Sequence, residues 1–588
     1  MHLRTSNATR TPDSSTAPSE WSYTPIGEVP MHSRYGLTSR NKSRLAKLAL
    51  GAVALLAVGS LAVSSISTTS ANVTQHTLRA SADARSSPSV STVTATAKAT
   101  ETVTATAPSG AQSTSAFPGA TDEIVDLHGK PEVYTSRLFS GYLPISNGGE
   151  AFYFFAESQS ASAQSDPVLL WLNGGPGASS LAGCFSENGP LLVNDDGVSL
   201  RVNDHAWNQN ANFVCIESPI GVGFSYNASG VYVSDDVKQA DELYEALQQF
   251  LTKFPWLRSN DFIVSGESYG GVYVPMTAKR IVEGNAKGDA PKINLKKFVV
   301  GNGVNEFTGL SMILYAYYHG LIGSEDYRRV RSSCPEFQEF KPSPMFAQLA
   351  DPTTPCAEAV METMLHLFTT HVNSYNIYGT CAGRLEDDVM ALIREVLAPA
   401  QGFPHPIGSP MNLCLNSTNL VSYFNIPAVR HQMHTNLDLA RWDNDALTSA
   451  SIDVLGKFIG LNDSDIANIK RTKLLDYTGT LGSVVTPLWK ELLANGVQGV
   501  IYHGDVDMVC DFIGGSWAVE SLQLPRRSPR SIWTVTSEDG GDEQTAGFVE
   551  DYGNLTFLTV KGAGHLVPMW KPRESKVMLD RFVLDNEA

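Results

Sequence analysis

From about Asp122 onward the chain repeats one pattern, a short apolar run that stops at a glycine-rich polar loop. "DPVLLWLNGGPG", "ANFVCIESPIGVGFSY", "DFIVSGESYGG", "KKFVVGNGVN", "QGVIYHGDVDMV" and "LTFLTVKGAGHLVP" all obey it. Text of helical periodicity, such as "DDVKQADELYEALQQFLTKFP", lies among them. Apolar runs of strand length alternating with helical segments predict an α/β fold. Polar residues then gather at the carboxyl ends of the strands, where open α/β sheets place their sites.

Two stretches break the pattern. Between Asn305 and about Tyr423 the alternation gives way to helical text carrying cysteines 334, 356, 381 and 414, which predicts a mainly helical cap inserted over about 305–423. Ahead of Asp122 the chain is rich in Ser, Thr and Ala and poor in aromatics, a composition that cannot bury enough apolar area to offset chain entropy. The folded unit is therefore expected over 122–588.

Within the N-terminal part, Leu48 to Ile66 is an uncharged apolar run behind the basic cluster Arg40, Lys42, Arg44 and Lys47. Its length as a helix, roughly 28 Å, just spans a bilayer core. The reading is a disordered cytosolic tail over 1–47, a signal anchor over 48–66 and a Ser/Thr-rich stalk over 67–121; a cleaved signal peptide is the competitor. The single-pass type II orientation that follows places the remainder in the secretory lumen or outside the cell. Tyr23-Thr-Pro-Ile26 has the form of an endosomal sorting signal.

The net charge of -17 argues against a nucleic-acid partner, which would need clustered Lys and Arg. None of the seven cysteines forms a CxxC pair or sits with His at zinc-like spacing, so no metal is expected and secretory disulfides are. Sequons at Asn227, Asn416, Asn462 and Asn554 agree with that compartment.

Gly266-Glu267-Ser268-Tyr269-Gly270 follows the apolar run Phe262-Ile263-Val264 and precedes helical residues. A strand-to-helix turn of this kind exposes the serine hydroxyl and aims the next backbone N–H at a developing oxyanion. A serine alkoxide is too basic to form unaided, so the chemistry needs a His base and a carboxylate to orient it. Further along, Asp505 and Asp507 in "YHGDVDMVCD" and His565 in "KGAGHLVP" stand on loops after expected strands, in the order Ser, Asp, His. Spacing leaves Asp505 and Asp507 as alternatives.

"LLWLNGGPGASSLAGCFSENGP", "ESPIGVGFSY", "GESYGGVYVP", "GNG", "IYHGDVDMVCDFIGGSW" and "VKGAGHLVPMWKP" together resemble the serine carboxypeptidase family over about 130–585. The resemblance implies an α/β-hydrolase fold, a mixed central sheet flanked by helices with a helical cap. It also implies a cofactor-free enzyme that removes C-terminal residues from peptides and proteins at acidic pH. Ser268 would be the nucleophile, His565 the general base and Asp507 its orienting carboxylate, with the N–H groups of Gly175 and Tyr269 as oxyanion donors. Asn173, Gly174, Glu187 and Glu267 would bind the substrate carboxylate, and Trp171, Cys510 and Leu566 would belong to the pocket. Two adjacent glutamates cannot both ionise cheaply, so one would keep a proton and donate it to that carboxylate.

Cys381 with Cys414 matches a family pair, and Cys334 with Cys356 is expected by proximity. Cys510 matches a free thiol, whereas Cys184 and Cys215 read as buried thiols, with a bridge between them the alternative left open. The chain departs from the family at Ala178 and near Trp442, where a bridged cysteine pair is usual, leaving packing to hold the loop. It departs again at Asp511 and Leu566, both expected near the pocket. An acyltransferase on the same scaffold and a stabiliser of partner enzymes are the alternative functions; the sequence leaves the oligomeric state open, a homodimer being one option.

Overall fold

The computed structural model describes residues 117–585 apart from 289, 336, 338–353, 369, 382–413, 440, 447–463, 465–474, 480–484 and 538–539. The tail, the apolar run, nearly all of the stalk, Tyr23 and the Asn462 sequon lie outside these residues. No helix among the described residues is long and apolar enough to cross a membrane.

One large sheet carries the fold. Its strands are β1 (Leu138–Pro144), β2 (Gly149–Ala156), β3 (Val168–Leu172), β4 (Asn212–Ile216), β5 (Phe262–Glu267), β6 (Leu295–Gly301), β7 (Gln498–Gly504), β8 (Ser531–Thr536), β9 (Glu543–Asp551) and β10 (Leu555–Val560). They lie in the order β1-β2-β4-β3-β5-β6-β7-β10-β9-β8, with the short strand Tyr226–Asn227 added beside β2. From β4 to β10 neighbours are parallel, and both margins are antiparallel. The mixed sheet expected from the resemblance is present.

Strands β3, β4 and β5 are buried along their whole length because helices cover both faces, which is why they read as unbroken apolar runs. Their side chains still alternate: Phe262 and Val264 enter one core cluster while Ile263 enters the other. On one face pack α2 (Asp236–Lys253) and α3 (Gly270–Lys287), joined to the cluster that holds Phe250, Leu251, Tyr273 and Ile281. The opposite face receives α1 (Ser180–Ser186), whose Leu181, Cys184 and Phe185 lie in the second cluster. Asp235 caps α2 by accepting from Val237 and Lys238 N–H, and Gly288 ends α3 in the left-handed conformation.

Packing against the core already involves described residues ahead of Asp122. Phe117 packs against Phe139, Phe254 and Trp256, and Asp122 accepts from Tyr153 Oη at 2.7 Å. Among the described residues no strand of the large sheet falls between Gly301 and Gln498. That interval holds the helices Leu310–Tyr318, Ser324–Ser333, Pro355–Phe368, Thr418–Phe424 and Pro427–Gln432. The non-sheet text thus runs beyond Tyr423 and includes Trp442 and the strand Asp476–Thr478, which pairs with Val233–Asp235.

Candidate active site

Strand β5 delivers Ser268 to the carboxyl edge of the sheet, and the backbone there turns sharply into α3. Ser268 has φ of 62°, the left-handed region that a residue with a Cβ occupies only when its surroundings enforce it. Three hydrogen bonds do so: Ser268 N–H donates to Gly301 O at 3.2 Å, and Ser268 O accepts from Gly271 and Val304 N–H at 2.9 Å each. A Cβ on Gly271 would come within 2.7 Å of Val304 N, whereas one on Gly270 would make ordinary contact. The glycine that packing requires after the serine is therefore Gly271, one position beyond the GxSxG pattern.

The loop after β3 folds over this turn. A Cβ on Gly174 would lie 2.8 Å from the Ser268 Cβ, so only glycine lets the two backbones approach. Ala178 N–H closes the loop onto Gly174 O at 3.1 Å. Among the described residues neither the Gly175 nor the Tyr269 N–H has an acceptor within the protein. Two such donors beside a half-buried hydroxyl that lines the cavity can hold a negative oxygen.

His565 arrives on the loop after β10. Its Nδ1 donates to Asp507 Oδ2 at 2.7 Å, which fixes the tautomer and leaves Nε2 to accept a proton. Asp507 is wholly buried and also accepts from Asn302 Nδ2 at 2.8 Å, Val509 N–H at 2.9 Å and Cys510 N–H at 3.2 Å. Asp505 does something else: its Oδ1 accepts from Gly562 N–H at 2.6 Å and tethers the loop that leads to His565. The alternative left open by spacing is thereby resolved in favour of Asp507 as the partner of His565. Tyr375 packs its ring 4.7 Å from the imidazole and accepts from His565 N–H at 2.7 Å.

A second set of groups lies next to Ser268. Asn173 Nδ2 donates to Glu267 Oε1 at 2.9 Å and to Glu187 Oε1 at 3.4 Å, while its Oδ1 accepts from Trp171 Nε1 at 2.8 Å. Glu187 and Glu267 thus meet at one amide, and the Oε2 atoms of both are buried with no hydrogen-bond partner among the described residues. Burial raises both carboxyls above their usual range, and Glu267 is pushed further by the neighbouring Glu187 charge. A pair of this kind retains a shared proton into a range where free glutamates have lost theirs. Ser268, His565, Asn173, Gly174, Gly175, Glu187 and Glu267 all line one cavity of about 1340 Å³.

A family model described as serine carboxypeptidase matches residues 129–585. The chain belongs to the serine carboxypeptidase family. The lysosomal protective protein of Mus musculus is 36% identical over 480 residues, covering 79% of this chain and 93% of that protein. Serine carboxypeptidase 24 of Arabidopsis thaliana is 33% identical over 487 residues, covering 81% and 94%. Among solved structures, Kex1(delta)p, a prohormone-processing carboxypeptidase from Saccharomyces cerevisiae, aligns with a TM-score of 0.62 at 20% identity, over 79% of this chain and 96% of that one. That likeness bears on the fold, which is an α/β-hydrolase fold.

Several expectations for this serine carboxypeptidase need correction. Cys184 and Cys215 are bonded to each other, not free: α1 lays Cys184 over Cys215 of β4 with the two Cα atoms 6.7 Å apart. Apolar surroundings are common to buried thiols and buried bridges, so the text around them could not distinguish the two. Cys334–Cys356 and Cys381–Cys414 are bonded as expected, and Cys510 is free and buried.

Trp171 is fully buried behind Asn173 and does not line the cavity. Asp511 also points elsewhere, capping the helix Phe512–Ser521 by accepting from Ile513 and Gly514 N–H and from Ser311 Oγ. Leu566 and Cys510 do line the cavity.

The oxyanion loop has more than packing to hold it. Trp442-Asp443-Asn444-Asp445 puts Asp445 where the family's Trp-x-x-Cys has its cysteine, and Ala178 pairs with Asp445 in an isolated antiparallel bridge. Ser179 N–H donates to Asn444 O and Ala446 N–H to Gly177 O, each at 2.8 Å. Behind them Glu217, wholly buried, accepts from Ser179 Oγ, Phe224 N–H and, at 3.2 Å, Trp442 Nε1. A backbone bridge and a buried carboxyl thus replace the covalent tie.

Sequence reasoning missed Asn302, Tyr375, Glu217 and Asp445. The Gly301-Asn302-Gly303 loop at the tip of β6 was the one available signal, because a polar residue between glycines at a strand tip is positioned for the site.

Burial raises Glu217 and Asp511 to about 7 each and Asp445 to about 6, besides the Glu187–Glu267 pair. A raised carboxyl keeps its proton in the folded chain after the unfolded chain has released it. Its stabilisation is complete below the unfolded values of 3.8 to 4.5 and is lost as pH rises through about 7. His503 opposes this, because burial lowers it to about 4 and its contribution is lost as pH falls below 6.5. The carboxyls outnumber it. The thermal midpoint, followed by circular dichroism, is therefore expected to be higher near pH 5 than near pH 7.5.

Cys510 gives a second prediction. Burial pushes its thiol well above the usual range, so iodoacetamide, which needs the thiolate, should react slowly. An organomercurial entering the cavity should still bind the sulfur and lower activity by roughly tenfold or more, and Cys510→Ser should be resistant. Activity assays before and after each reagent decide it.

Proposed function

We propose that this protein removes single C-terminal residues from peptides by an acyl-enzyme mechanism with an acidic optimum. The observation that carries the reading is that one cavity is lined both by Ser268 and by His565, which Asp507 holds from behind, and by two buried glutamates bound to Asn173. Ser268 attacks the scissile carbonyl while His565 Nε2 takes its proton, and Asp507 holds the imidazole and favours the imidazolium that forms. The oxyanion settles between the Gly175 and Tyr269 N–H groups. His565 returns the proton to the leaving amine, and water repeats the sequence to release the acyl group.

The carboxylate clamp makes this an exopeptidase. Glu187 and Glu267 with one proton between them can donate to a terminal carboxylate, while an amide in its place loses the charge-assisted bond. Three disulfides suit an oxidising compartment, and the sequon asparagines Asn416 and Asn554 are exposed. The reading extends to the secretory lumen of a lysosome or vacuole or to the cell exterior, with a membrane tether if 48–66 is not cleaved.

The test is purified protein on blocked dipeptides and their C-terminal amides between about pH 4 and 8, with Ser268→Ala as control. Release of the free terminal residue, preference for acids over amides and loss of turnover in Ser268→Ala are expected. Turnover only in the presence of an alcohol acceptor would overturn the reading in favour of an acyltransferase.

A further inference from the structure

In the function proposed above, both ends of the terminal residue are fixed. Its carboxylate lies against Asn173, Glu187 and Glu267, and its amide nitrogen leaves from a carbonyl held by Ser268. The side chain on the intervening Cα projects into the same cavity, one wall of which is formed by the loop residues Gly174, Gly175, Pro176 and Ala178. The segment Asn444 to Ala446 stands there, bonded to that loop through Gly177 O and Ser179 N–H, and all three of its residues line the cavity.

Asp445 is half-buried, with Asn444 Nδ2 as its side-chain donor at 2.8 Å and, among the described residues, no Lys or Arg paired with it. Asp445, Tyr375 and Glu267 all line the one cavity. We propose that Asp445 makes this carboxypeptidase selective for peptides that end in a basic residue, Arg or Lys.

A partly desolvated carboxylate without a resident cation attracts a guanidinium or ammonium group, opposes a second carboxylate and gains nothing from an apolar side chain. Burial raises Asp445 to about 6 while it has no counter-ion, and a cation entering beside it favours the charged form, so the pair forms in mild acid. The other carboxylates of the cavity act more weakly. Asp195, Asp196 and Asp204 are exposed at its rim, where water and salt screen them, and they contribute to steering a cationic substrate end inward. Arg201 is the one Arg or Lys among the described lining residues.

The experiment uses blocked dipeptides that share a penultimate residue and end in Arg, Lys, Leu or Glu. We expect kcat/KM for Arg and Lys to exceed that for Leu by roughly tenfold, with Glu the poorest substrate. Asp445→Asn should lower the Arg-to-Leu ratio by roughly tenfold, mainly through KM, and Asp445→Lys should favour Glu over Arg. Each ratio is taken on one preparation, so partial misfolding of a variant cancels, and a merely structural role would lower every substrate alike. Equal use of Arg and Leu by the wild type, or a ratio unmoved in Asp445→Asn, overturns the proposal while release of leucine leaves the carboxypeptidase reading standing. Release of no residue at all overturns both.

Discussion

Asp507→Asn is expected to lower kcat by roughly 10⁴ with little change in KM, whereas Asp505→Asn is expected to cost roughly tenfold or less. The difference follows from what each carboxylate touches. Asp507 accepts from His565 Nδ1, and an asparagine there can present its amide nitrogen, which favours the tautomer whose Nε2 carries the proton and cannot take another from Ser268. Val509 N–H keeps its acceptor at the Oδ1 position, whereas Asn302 Nδ2 and Cys510 N–H, which both donate to Oδ2, would face the amide nitrogen, so the loss combines the wrong tautomer with two broken hydrogen bonds. The Asp505 side chain holds only the path of the loop, through Gly562 N–H, and losing one such bond costs about 1–3 kcal/mol at most, part of which the loop recovers by relaxing. Steady-state kinetics of the two variants over the acid range check the assignment, and equal losses would refute it.

These two aspartates also show where sequence stops being sufficient. Strands such as Val168–Leu172 and Phe262–Glu267 were legible because burial on both faces forces unbroken apolar text, and the loops after them because close backbone approach demands glycine. Ser268 and His565 fell on those loops, and Glu267 ends the strand Phe262–Glu267, whereas Glu187 follows the helix Ser180–Ser186 and was named only through the family resemblance. Asp505 and Asp507 lie on one loop with the same residue type, and only the fold decides which of them meets His565. Asn302, Tyr375 and Asp445 come from segments far apart in sequence, and their roles exist only once the sheet and the helical text after it are assembled. The Cys184–Cys215 bridge was illegible for the same reason, because the helix-on-sheet packing that joins them leaves no local mark.

The Glu187–Glu267 pair carries the other large effect, on KM and not on kcat. Burial raises both carboxyls, Glu267 further because Glu187 stands beside it, so in mild acid the pair holds a proton that it can donate to the substrate's terminal carboxylate. As pH rises past the range in which the pair gives up that proton, two buried negative charges face a third. The wild-type KM is therefore expected to climb between about pH 5 and 8, by roughly ten- to a hundredfold for loss of a charge-assisted bond, while kcat on the bound substrate changes less. Replacing both residues, Glu187→Gln with Glu267→Gln, leaves amide donors that do not titrate. The double variant should bind more weakly than wild type near pH 5 but show a KM that no longer depends on pH, so that the two curves converge or cross toward neutrality. Asn173 Nδ2 now needs only the amide oxygens it already faces, so the loop keeps its partners and the comparison reads charge and not folding. A KM that still climbs in the double variant would move the cause to the substrate or to another group in the cavity, and the glutamate pair would lose its place as the source of the acidic optimum.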